Sequence, residues 1–222
     1  AHRVEGVLVS VSKETRDFQH LADIRESKIP LVFFDRAAPG IVADKVITND
    51  RDAACMAVRH LTAGSRKRIA HFAAPQNLLI GKERKAGYLD ALAETEIPFY
   101  PELCIEADTF EKAYREIARM KAAGILPDAL FGVNDLTAIG AIKSLLAENI
   151  RVPEDVAVSG FSDSRFAEIS EPTLTSVDQH GFDMGTLATQ LLLKRIRSGE
   201  KDFPVETKIV KADLVIRNST LF

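Results

Sequence analysis

The residues with the clearest capacity for chemistry fall in one short run, Ser162-Asp163-Ser164, which follows Gly160-Phe161 and the apolar stretch Val156-Ala157-Val158. Two hydroxyls and a carboxylate at the end of an apolar run can bond a polar guest. The arrangement recurs along the chain. Val7-Leu8-Val9 leads to Ser10 and Ser12, and Leu31-Val32-Phe33-Phe34 leads to Asp35-Arg36. Ile69-Ala70-His71-Phe72 leads to Gln76-Asn77, and the run Ala129 to Val133 leads to Asn134-Asp135. Carboxylates and amides pair with vicinal hydroxyls, and arginine adds a planar donor fork. The set suits a sugar or a similar polyol. The chain has no Trp, so any aromatic cover for such a ring has to come from Phe34, Tyr100, Phe110 or Phe161.

Binding is indicated here, and conversion is not. The five histidines (His2, His20, His60, His71, His180) show no metal-ligand spacing, and neither cysteine pairs with them. There is no G-x-S-x-G elbow, no G-x-x-x-x-G-K phosphate loop and no G-x-G-x-x-G after a strand. His71 lies in an apolar strand and reads as a core residue. The one catalytic alternative is a carboxylate pair drawn from Asp35, Asp135 and Asp163, for glycoside hydrolysis. The expectation is a protein that is not an enzyme, with no cofactor and no metal.

The elements that must position these groups are short apolar strands alternating with helices. A strand apolar throughout is covered on both faces, and repeated βα units give a parallel sheet. In such sheets ligands sit beyond the carboxyl ends of the strands. The helices are read from stripes at helical spacing. One stripe is Ala54, Ala57, Val58 and Leu61, after the capping pair Asn49-Asp50 and before Gly64. The others are Ala86, Leu89, Leu92 and Ala93; Tyr114, Ile117, Ala118 and Lys121; Ala138, Ile139, Ile142, Leu145 and Leu146; and Phe182, Met184, Leu187, Ala188, Leu191 and Leu192, ending near Gly199. The tail from Thr207 to Ile216 reads as one or two strands.

With 222 residues the chain has room for one large domain or two lobes. Its balance of 46% hydrophobic and 27% charged residues is that of a globular protein. No apolar run approaches the roughly 20 residues of a membrane span, and no export leader opens the chain. Cys55 and Cys104 sit in a helix face and an apolar strand, as buried thiols of a cytoplasmic protein do. The net charge of −3 lacks the basic excess that phosphate contacts demand. The single basic cluster, Arg66-Lys67-Arg68 with Lys82, Arg84 and Lys85, reads as a solvated loop. The chain opens on Ala with a strand almost at once, which leads us to expect a fragment of something longer.

The segments VEGVLVS, IPLVFFDR, ERKAGYLDAL, PDALFGVNDLTAIGAIKSL, RVPEDVAVSGFSDS and EPTLTSVDQ, in this order, resemble the effector-binding core of lactose-repressor-like (LacI/GalR) transcription regulators. The likeness covers the whole chain. It implies an α/β, two-lobed, periplasmic-binding-protein-like (type I) fold, with parallel sheets flanked by helices and an amino-terminal lobe that starts at its third βα unit. Residues 1–48 and 180–203 would form that partial lobe, 49–179 the carboxyl-terminal lobe, and 204–222 terminal strands completing the lobes. The resemblance further implies a small-molecule effector, a sugar or related polar metabolite, and contact with DNA through a helix-turn-helix preceding the core. It also implies a homodimer and no membrane. The rival reading is the solute-binding protein of a sugar transporter, which shares the fold.

Carried over position by position, the implied effector contacts are Asp35, Arg84, Asn134 and Gln179; the reading of polar strand ends and of nearby aromatics adds Ser10, Ser162, Asp163 and Phe110 as candidates. Two positions depart from the family pattern. Ser162 stands where relatives place an Asp after the Gly-aromatic pair, and a hydroxyl cannot make the bonds of a carboxylate. Asp108 stands where relatives carry a stacking aromatic, with Phe110 only nearby.

Overall fold

Segments of three to six residues, several of them apolar throughout, become strands and the stretches between them become helices, in the computed structural model of the chain, which describes residues 4–63, 66–199 and 204–221. The chain forms two units. Unit 1 is Ala1–Asn49 with His180–Lys211, and unit 2 is Asp50–Gln179 with Ala212–Phe222.

Unit 1 contains β1 (Val7–Val9), α1 (Gln19–Glu26), β2 (Leu31–Phe34), β3 (Asp44–Thr48), α7 (Gly181–Ser198) and β9 (Thr207–Val210). Its sheet runs β1-β2-β3-β9, and every pair is parallel. Successive β2 side chains serve opposite faces. Val32 packs with Val46, Val210 and the α7 residues Met184, Ala188, Leu191 and Leu192. Leu31 and Phe33 pack with Val11, Leu21, Ala38 and Ala43. A strand that must fill two cores has no polar position, which is why it reads as an unbroken apolar run. Helix α7 ends at Gly199, whose φ of 62° suits glycine at a helix stop.

One polar cluster lies inside this unit. Arg195 of α7 donates from Nε to Asp44 Oδ2 at 2.7 Å and from Nη2 to Asp44 Oδ1 at 3.0 Å. Nη2 also reaches the Pro204 carbonyl at 2.9 Å, and Asp44 Oδ1 accepts from the Glu206 N–H at 2.7 Å. One buried pair therefore ties β3, α7 and the approach to β9.

Unit 2 contains α2 (Asp50–Thr62), β4 (Ile69–Ala73), α3 (Leu79–Glu94), β5 (Cys104–Glu106), α4 (Phe110–Ala122), β6 (Ala129–Gly132), α5 (Asp135–Ala147), β7 (Ala157–Ser162), α6 (Arg165–Ile169), β8 (Thr175–Asp178) and β10 (Asp213–Val215). Its sheet order is β10-β8-β7-β6-β4-β5, parallel except for β10. Helices α2 and α3 cover one face through Ala54, Val58, Leu61, Tyr88 and Leu92, against Ile69, Phe131 and Phe161. Helices α4 and α5 cover the other through Ile117, Met120, Ile142 and Leu145, against Phe72, Leu130 and Val158. Gly87 lets α3 approach α2: a Cβ there would lie 2.1 Å from the Arg51 carbonyl oxygen.

The tail does form two strands, one in each sheet. Several sequence readings need correction. Strand β3 was not among the expected strands, because Asp44 and Lys45 break its apolar run. Strand β7 begins at Ala157 and continues through Gly160-Phe161 to Ser162, one residue into the polar run. The α3 stripe is displaced: Arg84, Gly87, Tyr88, Ala91 and Leu92 are buried, while Ala93 is exposed. The buried face of α4 is Ala113, Ile117 and Met120, with Tyr114 exposed. Phe182 is not on the apolar face of α7 and is 87% exposed. Gly64, the expected stop of α2, lies outside the described residues.

His71 is fully buried in β4, stacked on Phe131 with ring centroids 4.9 Å apart. Its Nδ1 lies 3.1 Å from the Phe131 carbonyl, which can only accept, so Nδ1 carries the proton. Burial pushes its pKa down from 6.5 to about 4. The unfolded chain therefore binds the proton more readily than the folded one. Stability is fully present above about pH 6.5 and is lost as pH falls toward 4, by roughly 3 kcal/mol for this group. Urea midpoints taken from pH 7 to 4.5 should fall in the native protein and fall less in His71→Phe. Equal slopes would contradict the assignment.

Candidate functional site

Because β4 to β8 are parallel, their carboxyl ends lie on one edge of unit 2, and the sequence-expected residues of that unit collect there. Arg84 projects from the first turns of α3 into the unit and is only 3% exposed. Its Nε donates to Asp50 Oδ1 at 2.7 Å, and its Nη1 donates to the Val133 carbonyl at 2.7 Å. Its guanidinium carbon lies 3.6 Å from the centroid of the Phe161 ring, a cation–π stack. Its Nη2 makes no hydrogen bond to a described residue. Arg84 thus clamps the start of α2 and the ends of β6 and β7, and most of its bonding capacity is spent inside the unit.

Asn134 caps α5. Its Oδ1 accepts from the Thr137 N–H at 2.9 Å, and its Nδ2 donates to the Asp108 carbonyl at 3.1 Å. The cap joins the loop after β5 to the loop after β6. Asp108 is itself buried and accepts from Lys112 Nζ at 2.7 Å.

The loop after β7 is held just as firmly. Ser162 and Asp163 both have left-handed backbone, with φ of 114° and 47°. Such geometry in residues other than glycine is strained and persists only where surrounding bonds enforce it. Arg217 supplies one set, donating from Nη1 to Asp163 Oδ1 at 2.5 Å and from Nη2 to Oδ2 at 3.2 Å. Asp135 supplies another, accepting from the Ser164 N–H at 2.6 Å and from the Ser176 hydroxyl at 2.5 Å. The Ser176 oxygen in turn accepts from the Asp163 N–H. Burial raises the Asp135 carboxyl above the usual range, and these two donors oppose that rise. The hydroxyl-bearing Ser162 is left exposed at the rim.

Phe110 begins α4, packs on the apolar core beside that helix and stacks on Tyr114 with centroids 6.3 Å apart. Gln179 follows β8 as the last residue before the chain leaves unit 2 and is half-buried.

The remaining two expected residues belong to unit 1. Ser10 follows β1 and Asp35 follows β2, neighbouring parallel strands. Asp35 has a φ of 58°, and its N–H donates to the Val46 carbonyl at 3.0 Å. Sequence reasoning missed the residues that hold these rims: Asp50, Ser176, Arg217 and the supporting role of Asp135. Asp50 read as a helix cap and Asp135 as a polar strand end; Ser176 and Arg217 had no such signal.

Among the described residues no group of three or more His, Cys, Asp or Glu could hold a metal ion, and no helix is long and apolar enough to cross a membrane. Cys55 and Cys104 are free.

Two α/β units, with the chain passing between them three times and polar groups at the carboxyl ends of both parallel sheets, define the ligand-binding core of a periplasmic-binding-protein-like molecule. The chain belongs to the periplasmic binding protein-like domain family, whose model matches residues 58–220, and within it the chain is an effector-binding core of the LacI/GalR type. It is 31% identical over 98% of its length to the "HTH-type transcriptional repressor PurR" of Vibrio parahaemolyticus, covering 64% of that protein. Among solved structures it is similar to the "transcriptional regulator CelR-cellobiose complex", with 30% identity, a TM-score of 0.87 and coverage of 97% of this chain and 66% of that one. It also resembles a LacI-family regulator of Sanguibacter keddieii, with 28% identity, a TM-score of 0.84 and coverage of 97% and 77%. The chain spans about 64% of the length of the curated relatives it matches. Those relatives are named as transcriptional repressors.

Proposed function

We propose that this chain is the effector-sensing and dimerisation core of a ligand-responsive, DNA-binding transcriptional repressor of the cytoplasm. The carrying observation is the match of nearly the whole chain to helix-turn-helix repressors, on a fold whose strand ends present Ser, Asp, Asn and Arg. The effector is a sugar or related polar metabolite, and the cellobiose named for one solved neighbour supports that class. Unit 1 offers Ser10 and Asp35 for such contacts, and unit 2 by itself offers Ser162, Gln179, Nη2 of Arg84 and the Asn134 side chain. Asp163 and Phe110 support the rim, Asp163 by holding the Ser162 loop and Phe110 by packing beneath α4.

Effector binding biases the arrangement of the two units and, through a two-fold dimer, the presentation of DNA-binding heads that lie outside this chain. The coupling equals the difference in effector affinity between the two states, typically about 1–3 kcal/mol, and it is reciprocal. With a net charge of −3 the chain by itself should not bind DNA specifically.

A ligand that binds only the native state raises stability by mass action. Melting the protein against sugars, sugar phosphates and nucleobases should therefore reveal one class giving a concentration-dependent rise in Tm. A flat response across all three classes would end the sensing reading.

A further inference from the structure

Resting on that reading, we infer that the part of the effector facing unit 2 is an anionic group, a carboxylate or a phosphate. Lys112 binds it, together with Nη2 of Arg84.

The inference comes from which donors and acceptors the rim of unit 2 has left. Four carboxylates stand at the loops and helix starts beside these cations, and each is already bonded to a donor of the protein. Asp50 accepts from Arg84, Asp108 from Lys112, and Asp163 from Arg217. Asp135 accepts from the Ser164 N–H and the Ser176 hydroxyl. The side chains of Asp50, Asp108 and Asp163 are 8%, 5% and 12% exposed, and Asp135 is buried. The amide oxygen of Asn134 is occupied as well, by the Thr137 N–H.

What remains accessible donates. The Lys112 ammonium has three N–H groups and makes one bond, to Asp108 Oδ1 at 2.7 Å, while its side chain is 48% exposed. That bond raises the Lys112 pKa, so the charge is complete at neutral pH. Nη2 of Arg84 keeps its two N–H groups, and Asn134 Nδ2 gives only one of its own, to the Asp108 carbonyl. A short series of contacts joins the two cations. Arg84 bonds the Val133 carbonyl, the next residue Asn134 bonds the Asp108 carbonyl, and the Asp108 carboxylate bonds Lys112. Both cations therefore border the loop tips after β5 and β6. A rim that only donates is matched by an edge that only accepts. Bonds to an ammonium and a guanidinium are strongest from an oxyanion. The hydroxyl protons of a neutral sugar would need acceptors that this stretch of the rim keeps buried. Glu106, at the end of β5, is within electrostatic reach of Lys112 and opposes the incoming anion.

The experiment measures affinity by calorimetry for D-glucose, D-galactose, D-glucuronate, D-galacturonate, D-glucose 6-phosphate and hypoxanthine. The proteins are the native chain, Lys112→Met, Lys112→Arg and Glu106→Gln. At least one anion should bind the native chain more than about tenfold tighter than its neutral parent, as expected for charge-assisted bonds, and its affinity should fall as salt rises. Lys112→Met should weaken that anion about ten- to hundredfold, the loss expected for a hydrogen bond to a charged group. Lys112→Arg should keep most of the affinity with a ligand-free Tm near native, which separates contact from folding. Glu106→Gln should strengthen binding, since a repelling charge is gone. Binding by a uronate identifies the carboxylate, and binding by glucose 6-phosphate identifies the phosphate. Two results overturn the assignment while leaving the sensing reading intact. One is a neutral compound that binds as tightly as every anion, and the other is anion affinity within twofold of native in Lys112→Met. No binding by any of the six compounds overturns the sensing reading, and this inference falls with it.

Discussion

Arg195→Ala is expected to cost unit 1 about 3–5 kcal/mol, the penalty for leaving one partner of a buried ion pair behind. The Asp44 side chain is 0% exposed and that of Arg195 is 7% exposed. In the variant the Asp44 carboxylate keeps the Glu206 N–H as a donor but loses both guanidinium bonds. The Pro204 carbonyl loses its donor as well. The loss should fall on unit 1, since all of these groups belong to it. Hydrogen exchange should therefore rise in β2, β3 and α7 while the six-stranded sheet stays protected. The double variant Arg195→Met with Asp44→Leu should recover much of the stability, because a buried pair replaced by apolar groups of similar volume is often neutral. A single-variant loss below about 1 kcal/mol would mean that the pair is solvated in solution.

Arg84→Ala should be nearly as severe in unit 2, again about 3–5 kcal/mol. It takes the guanidinium from Asp50, which is 7% exposed, removes the donor to Val133 and leaves the Phe161 ring without its cation. This complicates the use of Arg84 as a probe of binding. A variant that loses effector response could have lost the rim and not the contact. Arg84→Lys is the better probe, as it keeps the charge while giving up the fork that reaches two acceptors at once. A double-mutant cycle with Asp50→Ala should return a coupling energy of about 1–3 kcal/mol in thermal or urea unfolding. Additive losses would show that the two residues act independently.

These two arginines also mark the limit of what local pattern conveys. Arg84 was noticed in the sequence as a binding residue and Arg195 was not noticed at all. Both are buried because an aspartate waits at the end of the side chain, and those aspartates lie 34 and 151 positions away in the chain. Helical spacing treats a charged residue as solvent-facing, so the α3 stripe was displaced: it shares Leu92 with the buried face, but left Arg84 outside and took Ala93 within. The opposite error occurred at Phe182, which is apolar and at helical spacing yet exposed. The supporting bonds of Asp135 and Arg217 were likewise beyond reach, since Asp135 meets strand ends set side by side by the parallel register of β6, β7 and β8, and Arg217 arrives after β10, which pairs antiparallel with β8.

What the sequence determined by itself was the succession of strands and helices, the parallel class of the sheets and the placement of polar residues at strand ends. Each of these follows from a short stretch: an unbroken apolar run is a strand buried on both faces, and the small polar residues after it form the turn. Asn134-Asp135 was legible as such a polar strand end for the same reason. Only the tertiary structure decided which helix faces turn inward, which tail strand joins which sheet, and which polar side chains are spent on the protein and which are left for a ligand. Those outcomes turn on partners distant in sequence, and the burial of a charge is tolerable only where such a partner meets it.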